Sequence, residues 1–309
     1  MTVESPLPNL ARQVVDLVDA LLSEIRPRLV EAALSRDRGE NENLRHQGNF
    51  LSDHDLWAHQ RYQEGLAEFL PSFIYASEED EPQLIGGDPD PDLCVLVDPL
   101  DTSELAVRAL HGYTHILVYS RSRRRPVVAV VGDIFHHVRL YVAALHDDGT
   151  DQAYMITTDG DQHPLNRPSD ADLTTALVTN YFMRPAERFA PLAGQHRFFE
   201  ALGAPGSDGK ARGRIGVDFG SISLCHVAAG FTDATVEFAK GFAAWDLSPG
   251  HYVLHAAGGT TIDLDGAPIA LDYGLNDLAE INKTMGERRK FIAAGNPGLA
   301  QELLAVIDR

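Results

Sequence analysis

Apolar side chains recur at helical spacing through the first 35 residues. Leu10, Val14, Leu17, Val18, Leu21, Leu22, Ile25 and Leu29 fall on one stripe with polar residues between them, and that period predicts an amphipathic helix over residues 10–34. Pro27 lies inside it as a candidate kink. A polar stretch with Asn and Gly follows. Ser52-Asp53 then offers an N-cap to a second helix reaching about residue 70, with Leu56, Trp57, Leu66 and Phe69 toward a core and Pro71 marking its end.

Beyond Pro71 the pattern changes to short runs rich in β-branched and aromatic residues, which predict strands at 73–76, 94–97, 113–120, 127–134 and 138–144. The second half mixes strands near 176–180 and 235–238 with helices near 187–202, 221–229 and 248–257. A helix pair followed by a sheet and then mixed elements predicts an α/β layered sandwich with a seam around residues 146–170. The expected units are an N-terminal α+β subdomain, 1–150, and a C-terminal α/β subdomain, 151–309.

Composition narrows the function. At 309 residues, 44% hydrophobic and 23% charged, the chain can bury a sizeable core. Its net charge of −19 argues against nucleic-acid backbone binding, which needs a positive surface, and fits a protein that gathers divalent cations. Arg121-Ser122-Arg123-Arg124-Arg125-Pro126 sits between two β-branched runs and reads as a solvated hairpin tip. No run approaches the roughly 20 apolar residues of a membrane helix, and the first 13 residues lack a basic segment followed by an apolar one, so no membrane association and a cytoplasmic location are expected. Cys94 and Cys225 lie in apolar stretches and read as buried free thiols.

The strongest chemical signal is Cys94-Val95-Leu96-Val97-Asp98-Pro99-Leu100-Asp101, a buried-strand pattern running into two carboxylates three positions apart. Hard cations take oxygen ligands, and two neighbouring ions need a shared carboxylate flanked by separate ones. The other reading is an Asp-Pro-x-Asp turn that merely caps a short helix starting at Thr102-Ser103. If that helix forms, its first backbone N–H groups face the metals and suit a phosphate. Upstream, Ser77-Glu78-Glu79-Asp80-Glu81 follows the strand 73–76; it is ordinary solvated surface unless Asp98 lies on the neighbouring strand. His111 and His115 flank the segment, each open to a packing, hydrogen-bonding or ligand role.

Taken in order, Ser77-Glu78-Glu79, Asp98-Pro99-Leu100-Asp101-Thr102-Ser103 and Trp245-Asp246 resemble the motifs of the inositol monophosphatase family. The resemblance spans residues 45–270. It includes Phe50-Leu51-Ser52-Asp53-His54-Asp55, Gly132-Asp133-Ile134-Phe135 and the stretch from Asp246-Leu247-Ser248-Pro249-Gly250 to Ala257-Gly258-Gly259-Thr260. It implies an α-β-α-β-α sandwich, a magnesium-dependent, lithium-sensitive phosphomonoesterase acting on a small sugar, polyol or nucleoside phosphate, two to three Mg2+ ions, and a homodimer. Carried over residue by residue, Glu78, Asp98 and the Leu100 carbonyl hold one ion and Asp98, Asp101 and Asp246 a second. Glu78 and Glu79 help place a third. Asp55 and Ser103 would activate the attacking water. Thr102, Ser103 and Glu237 would contact substrate, as would Gly220 and Ser221.

The chain departs from the family where Thr102 replaces a glycine after the second aspartate and Glu104 adds negative charge. A β-branched residue at positive φ costs about 1 to 2 kcal/mol. The alternative that follows is a catalytically altered member: a binding or regulatory protein, or a metal-using enzyme acting on another phosphorylated or diphosphate substrate. The family's lysine before Asp55 is also missing, with Arg45 or His46 as stand-ins.

Overall fold

The computed structural model describes residues 7–47, 49–166, 169 and 171–308. In chain order the first half carries α1 (Asn9–Ser35), β1 (Glu40–Asn41), β2 (Leu51–Ser52), α2 (Asp53–Ala67), β3 (Ser72–Ser77), β4 (Gln83–Gly86), β5 (Leu93–Asp101), α3 (Ser103–Ala106), β6 (Tyr113–Ser120), β7 (Arg125–Asp133), β8 (Val138–Leu145), β9 (Asp151–Thr157) and β10 (Gln162–Leu165). Then follow β11 (Leu177–Asn180), a π-helical turn Pro185–Phe189, α4 (Ala190–Ala193), α5 (His196–Leu202), β12 (Arg214–Val217), α6 (Gly220–Ala228), β13 (Ala234–Ala243), α7 (Ala244–Ala256), β14 (Thr260–Ile262), α8 (Leu278–Gly286), β15 (Arg288–Ala294) and α9 (Pro297–Val306). The fold is α/β, as expected. Among the described residues, no helix is long and apolar enough to cross a membrane.

Two units make up the chain: residues up to Pro164 with Leu271–Met285, and Leu165–Ala270 with residues from Gly286 onward. The first is built on an eight-stranded sheet in the order β10-β9-β8-β7-β6-β5-β3-β4. Strands β3 and β5 run parallel, while β3–β4 and the succession from β5 to β9 are antiparallel. The helical stripe read from the sequence is the buried face of α1: Val14, Val18, Leu21, Leu22, Ile25 and Leu29 share one core with Val95, Val97, Ile116, Val118, Val128 and Val130. Gly132 on β7 admits the helix, since a Cβ there would stand 3.1 Å from both the Leu22 and Val18 side chains. The helix runs through Pro27 to Ser35.

The first unit extends past residue 150 because β9 pairs with β8, from Leu145↔Asp151 to Val138↔Thr157. The segment Leu271–Met285 also returns to it, with the Tyr119 hydroxyl 2.9 Å from Asp272 Oδ1 and 3.0 Å from Asn276 Oδ1. The arginine-rich turn between β6 and β7 is more than a solvated tip. Arg121 pairs with Asp90 at 2.7 Å, Arg124 with Asp272 at 2.8 Å and Arg125 with Asp151 at 2.5 Å. Cys94 and Cys225 are free and buried, and burial pushes the Cys94 thiol up to about 12.

The second unit carries a five-stranded sheet in the order β12-β11-β13-β15-β14. Strand β11 is parallel to both neighbours, and β15 is antiparallel to β13 and β14. The single helix expected over 187–202 is broken into the π turn, α4 and α5. Pro185 and Pro191 lack the N–H that a continuous helix needs, and Gly194 ends α4. Helix α7 lies directly on α6 at Gly250, where a Cβ would stand 2.3 Å from the Ser221 carbonyl oxygen. That neighbour is backbone and cannot swing away. Gly250→Ala is therefore expected to destabilise the fold by about 1 to 3 kcal/mol, seen as a lower urea midpoint with an unchanged m value.

Candidate functional site

Strand pairing brings the first acidic segments together. The parallel register Ser77↔Val97 sets the end of β3 beside β5, and the Glu78 N–H donates to the Val97 carbonyl at 3.2 Å. Glu78 thus follows one strand and Asp98 the next, which is the arrangement that lifts the acidic loop above ordinary surface. Two residues three apart on a regular strand point to opposite faces. Here Asp98 pairs with His115 and Asp101 with Tyr113, so three steps on β5 match two on β6. That one-residue bulge turns both aspartates to one side.

His115, directly opposite Asp98 across the strands, faces the same way. Its Nε2 is 3.4 Å from Asp101 Oδ2 and its Nδ1 is 3.8 Å from Asp98 Oδ2. Asp98 is 1% exposed and His115 0%. Each of Asp98, Asp101 and His115 offers a ligand atom, and these atoms lie within 4.8 Å of one another. Two carboxylates and an imidazole at that spacing fit a divalent cation. Thr114 braces the strand end, donating to the Asp98 carbonyl at 3.1 Å and bonding the buried Tyr62 hydroxyl at 2.7 Å. His111, by contrast, stacks on His136 at 5.9 Å and bonds the Tyr113 hydroxyl at 3.3 Å, a packing and hydrogen-bonding role.

Asp55 reaches this region from the first turn of α2. Ser52 is the N-cap, and the two form a capping box: the Ser52 N–H and hydroxyl both donate to Asp55 Oδ2, at 2.7 and 2.6 Å. The other oxygen accepts the Ser103 hydroxyl, which also lies 2.7 Å from the Leu100 carbonyl. One hydroxyl proton serves only one of those acceptors at a time. Burial raises the Asp55 carboxyl to about 6 against these hydrogen bonds. Burial also raises neighbouring Glu79, to about 8, helped by the charge on Asp55 and opposed by Arg45.

Thr102 opens α3 with φ 61° and ψ 36°, the left-handed region. The chain thus keeps the turn that glycine adopts freely, and bears the side-chain cost. Thr102→Gly is expected to raise unfolding free energy by about 1 kcal/mol in urea titration. Glu104 is exposed and paired with Arg108 at 2.9 Å, which offsets its charge.

In the second unit, Asp246 occupies the first turn of α7. Burial raises its carboxyl, with Arg288 and then Arg188 pulling it down. Gly220 and Ser221 begin α6; Ser221 is fully buried, its hydroxyl donating to the Asp246 carbonyl at 2.7 Å and accepting the Gly250 N–H at 3.0 Å. Glu237 is buried where the β13–β15 register shifts. Its Oε1 accepts the N–H groups of Ala239, Lys240 and Gly241 at 3.0, 2.9 and 3.1 Å, and its Oε2 pairs with Arg188. Arg188 lies over the Tyr181 ring at 4.3 Å. Both Glu237 oxygens are committed within the unit, and Arg188, unmarked in the sequence, is the partner of Oε2.

The model of the inositol monophosphatase family matches residues 11–308. Human inositol monophosphatase 2 is 37% identical over 110 residues, 35% of this chain and 35% of that one. The chain spans 25% and 35% of the lengths of the curated relatives it matches. Among solved structures, the extragenic suppressor protein suhB of Bartonella henselae superposes with a TM-score of 0.64 at 18% identity, covering 96% of this chain and 98% of that one. A staphylococcal IMPase-I complexed with products gives a TM-score of 0.63 at 14% identity over 96% and 95%.

Proposed function

The chain belongs to the inositol monophosphatase family, and we propose that it is a metal-dependent phosphomonoesterase hydrolysing a small sugar, polyol or nucleoside phosphate. The observation that carries this reading is the hydrogen bond from Ser103 to the buried carboxylate of Asp55, two residues beyond Asp101. In the family pattern Glu78, Asp98 and the Leu100 carbonyl hold one ion, Asp98, Asp101 and Asp246 a second, and Glu78 with Glu79 a third, with Mg2+ as the expected metal. Divalent cations bound there neutralise charge on the attacking and leaving oxygens of an in-line displacement.

The chain's own residues do the rest. With its proton directed to Asp55, Ser103 Oγ presents a lone pair that accepts a proton from the attacking water and orients it. Asp55 is the final acceptor, and its elevated pKa of about 6 makes it a stronger base than an ordinary carboxylate. Thr102 and Ser103 line the approach of the phosphate. Ser221 and Glu237 act by support, the first holding the segment that bears Asp246 and the second shaping β13. The altered-member reading rested on Thr102 and Glu104; the retained left-handed turn and the Glu104–Arg108 pair both favour the hydrolase.

A phosphate-release screen over sugar, inositol and nucleotide monophosphates with Mg2+, using Asp98→Asn as the control, tests the proposal. Release from none of them, despite measured Mg2+ binding, would sink it. The same reading carries a homodimer and a cytoplasmic location, checked by light scattering and by fractionation.

A further inference from the structure

We infer that His115 is a metal ligand, making one site of this chain a mixed nitrogen–oxygen centre that favours a first-row transition dication such as Zn2+ or Mn2+ more than an all-oxygen site would. The inference rests on the metal-dependent reading above and goes beyond it in the ligand and in the choice of ion. Three observations carry it. The β5 bulge puts Asp98 and Asp101 on one side of the strand, and the Asp98↔His115 pairing puts the imidazole on that same side. The ring is fully buried on β6, so it is held by packing. And its nitrogens stand 3.4 and 3.8 Å from the two aspartates.

The 3.4 Å between Nε2 and Asp101 Oδ2 is of coordination size, and one ligand atom from each of the three residues lies within 4.8 Å of the others. With metal–nitrogen and metal–oxygen bonds near 2.1 Å, ligands at right angles lie about 3 Å apart and opposed ligands about 4 Å apart. Nε2, nearer Asp101 at 3.4 Å, is the ligating nitrogen, and the ring is held in place by its full burial on β6. An imidazole adds little for Mg2+, a hard ion that keeps oxygen ligands and water, and much for Zn2+ or Mn2+.

The test uses the full-length protein and the metals alone. Pulsed EPR of bound Mn2+ is expected to show 14N modulation from a coordinated imidazole, lost in His115→Ala. By titration calorimetry His115→Ala and His115→Gln are expected to weaken Zn2+ at least about tenfold while changing Mg2+ less than about threefold. The wild-type spectrum needs no variant, so a poorly folded substitution leaves the question decidable. Mn2+ bound without nitrogen coupling, or Zn2+ and Mg2+ weakened equally in a folded variant, overturns the ligand while leaving the phosphatase reading intact. Failure of any dication to bind overturns both.

Discussion

Asp98→Asn is expected to lower kcat/KM for phosphate release by about a thousandfold or more and to remove most of the thermal stabilisation that Mg2+ gives the parent. Asp98 ends the hydrophobic run of β5, is 1% exposed, and sits across from His115 with Asp101 turned to the same side. It is the carboxylate the family pattern places on both the first and the second ion. A metal's share of transition-state charge stabilisation is several kcal/mol, and each 1.36 kcal/mol is tenfold in rate. The stability readout separates loss of the site from loss of the fold. Asparagine removes one buried negative charge without changing side-chain size, so the metal-free variant is expected to unfold no earlier than the metal-free parent. A variant that melts much earlier without metal would mean that Asp98 is a structural carboxylate, and its inactivity would then say nothing about metal.

How much of this was legible beforehand depended on whether the signal was local. Helix α1 and strands β6 to β8 declare themselves because their apolar periods match their burial. Strands β9 and β15 do not: Asp151–Thr157 opens on polar residues, and Arg288–Ala294 begins with three cations, so only their pairing with β8 and with β13 and β14 makes them strands. The same divide runs through the site. Asp98 and Asp101 stand out as carboxylates ending a buried run, and the parallel β3–β5 register is what sets the segment of Glu78 beside theirs. That the two aspartates share a face depends on a bulge, which no three-residue spacing reveals. For His115 the sequence keeps packing and ligation both open, because alternation along β6 gives its face only once the β5 register is known. The partnership of Glu237 with Arg188 links residues 49 apart in sequence with no motif to join them.

Asp55→Asn is expected to do two opposite things: to lower kcat by about a hundredfold or more with little change in Mg2+ affinity, and to stabilise the protein above pH 6. Asp55 is buried at 1% exposure and its carboxyl is raised to about 6 by burial. In the unfolded chain an aspartate titrates near 3.9. A folded-state value above the unfolded one means that the native state holds the proton more tightly. Stability from this group is therefore fully present below about pH 4 and is lost as pH rises through about 6. The shift of about two units corresponds to a loss on the order of 3 kcal/mol in the parent. Asparagine is already neutral and escapes that loss. Its oxygen can accept the Ser52 N–H and its amide can donate to Ser103, so the capping box and the link to α3 survive. Chemical denaturation from pH 4 to 8 is the measurement: the two proteins should be alike near pH 4 and diverge through pH 6, the variant being the more stable. The kinetic side has its own signature. An unprotonated Asp55 is the acceptor in the relay through Ser103, so the parent's kcat should rise through an apparent pKa of about 6, and the variant's residual rate should lack that limb. Equal stability of parent and variant at every pH would show that Asp55 carries no buried charge. A variant with parental kcat would remove Asp55 from the reaction, whatever its effect on stability.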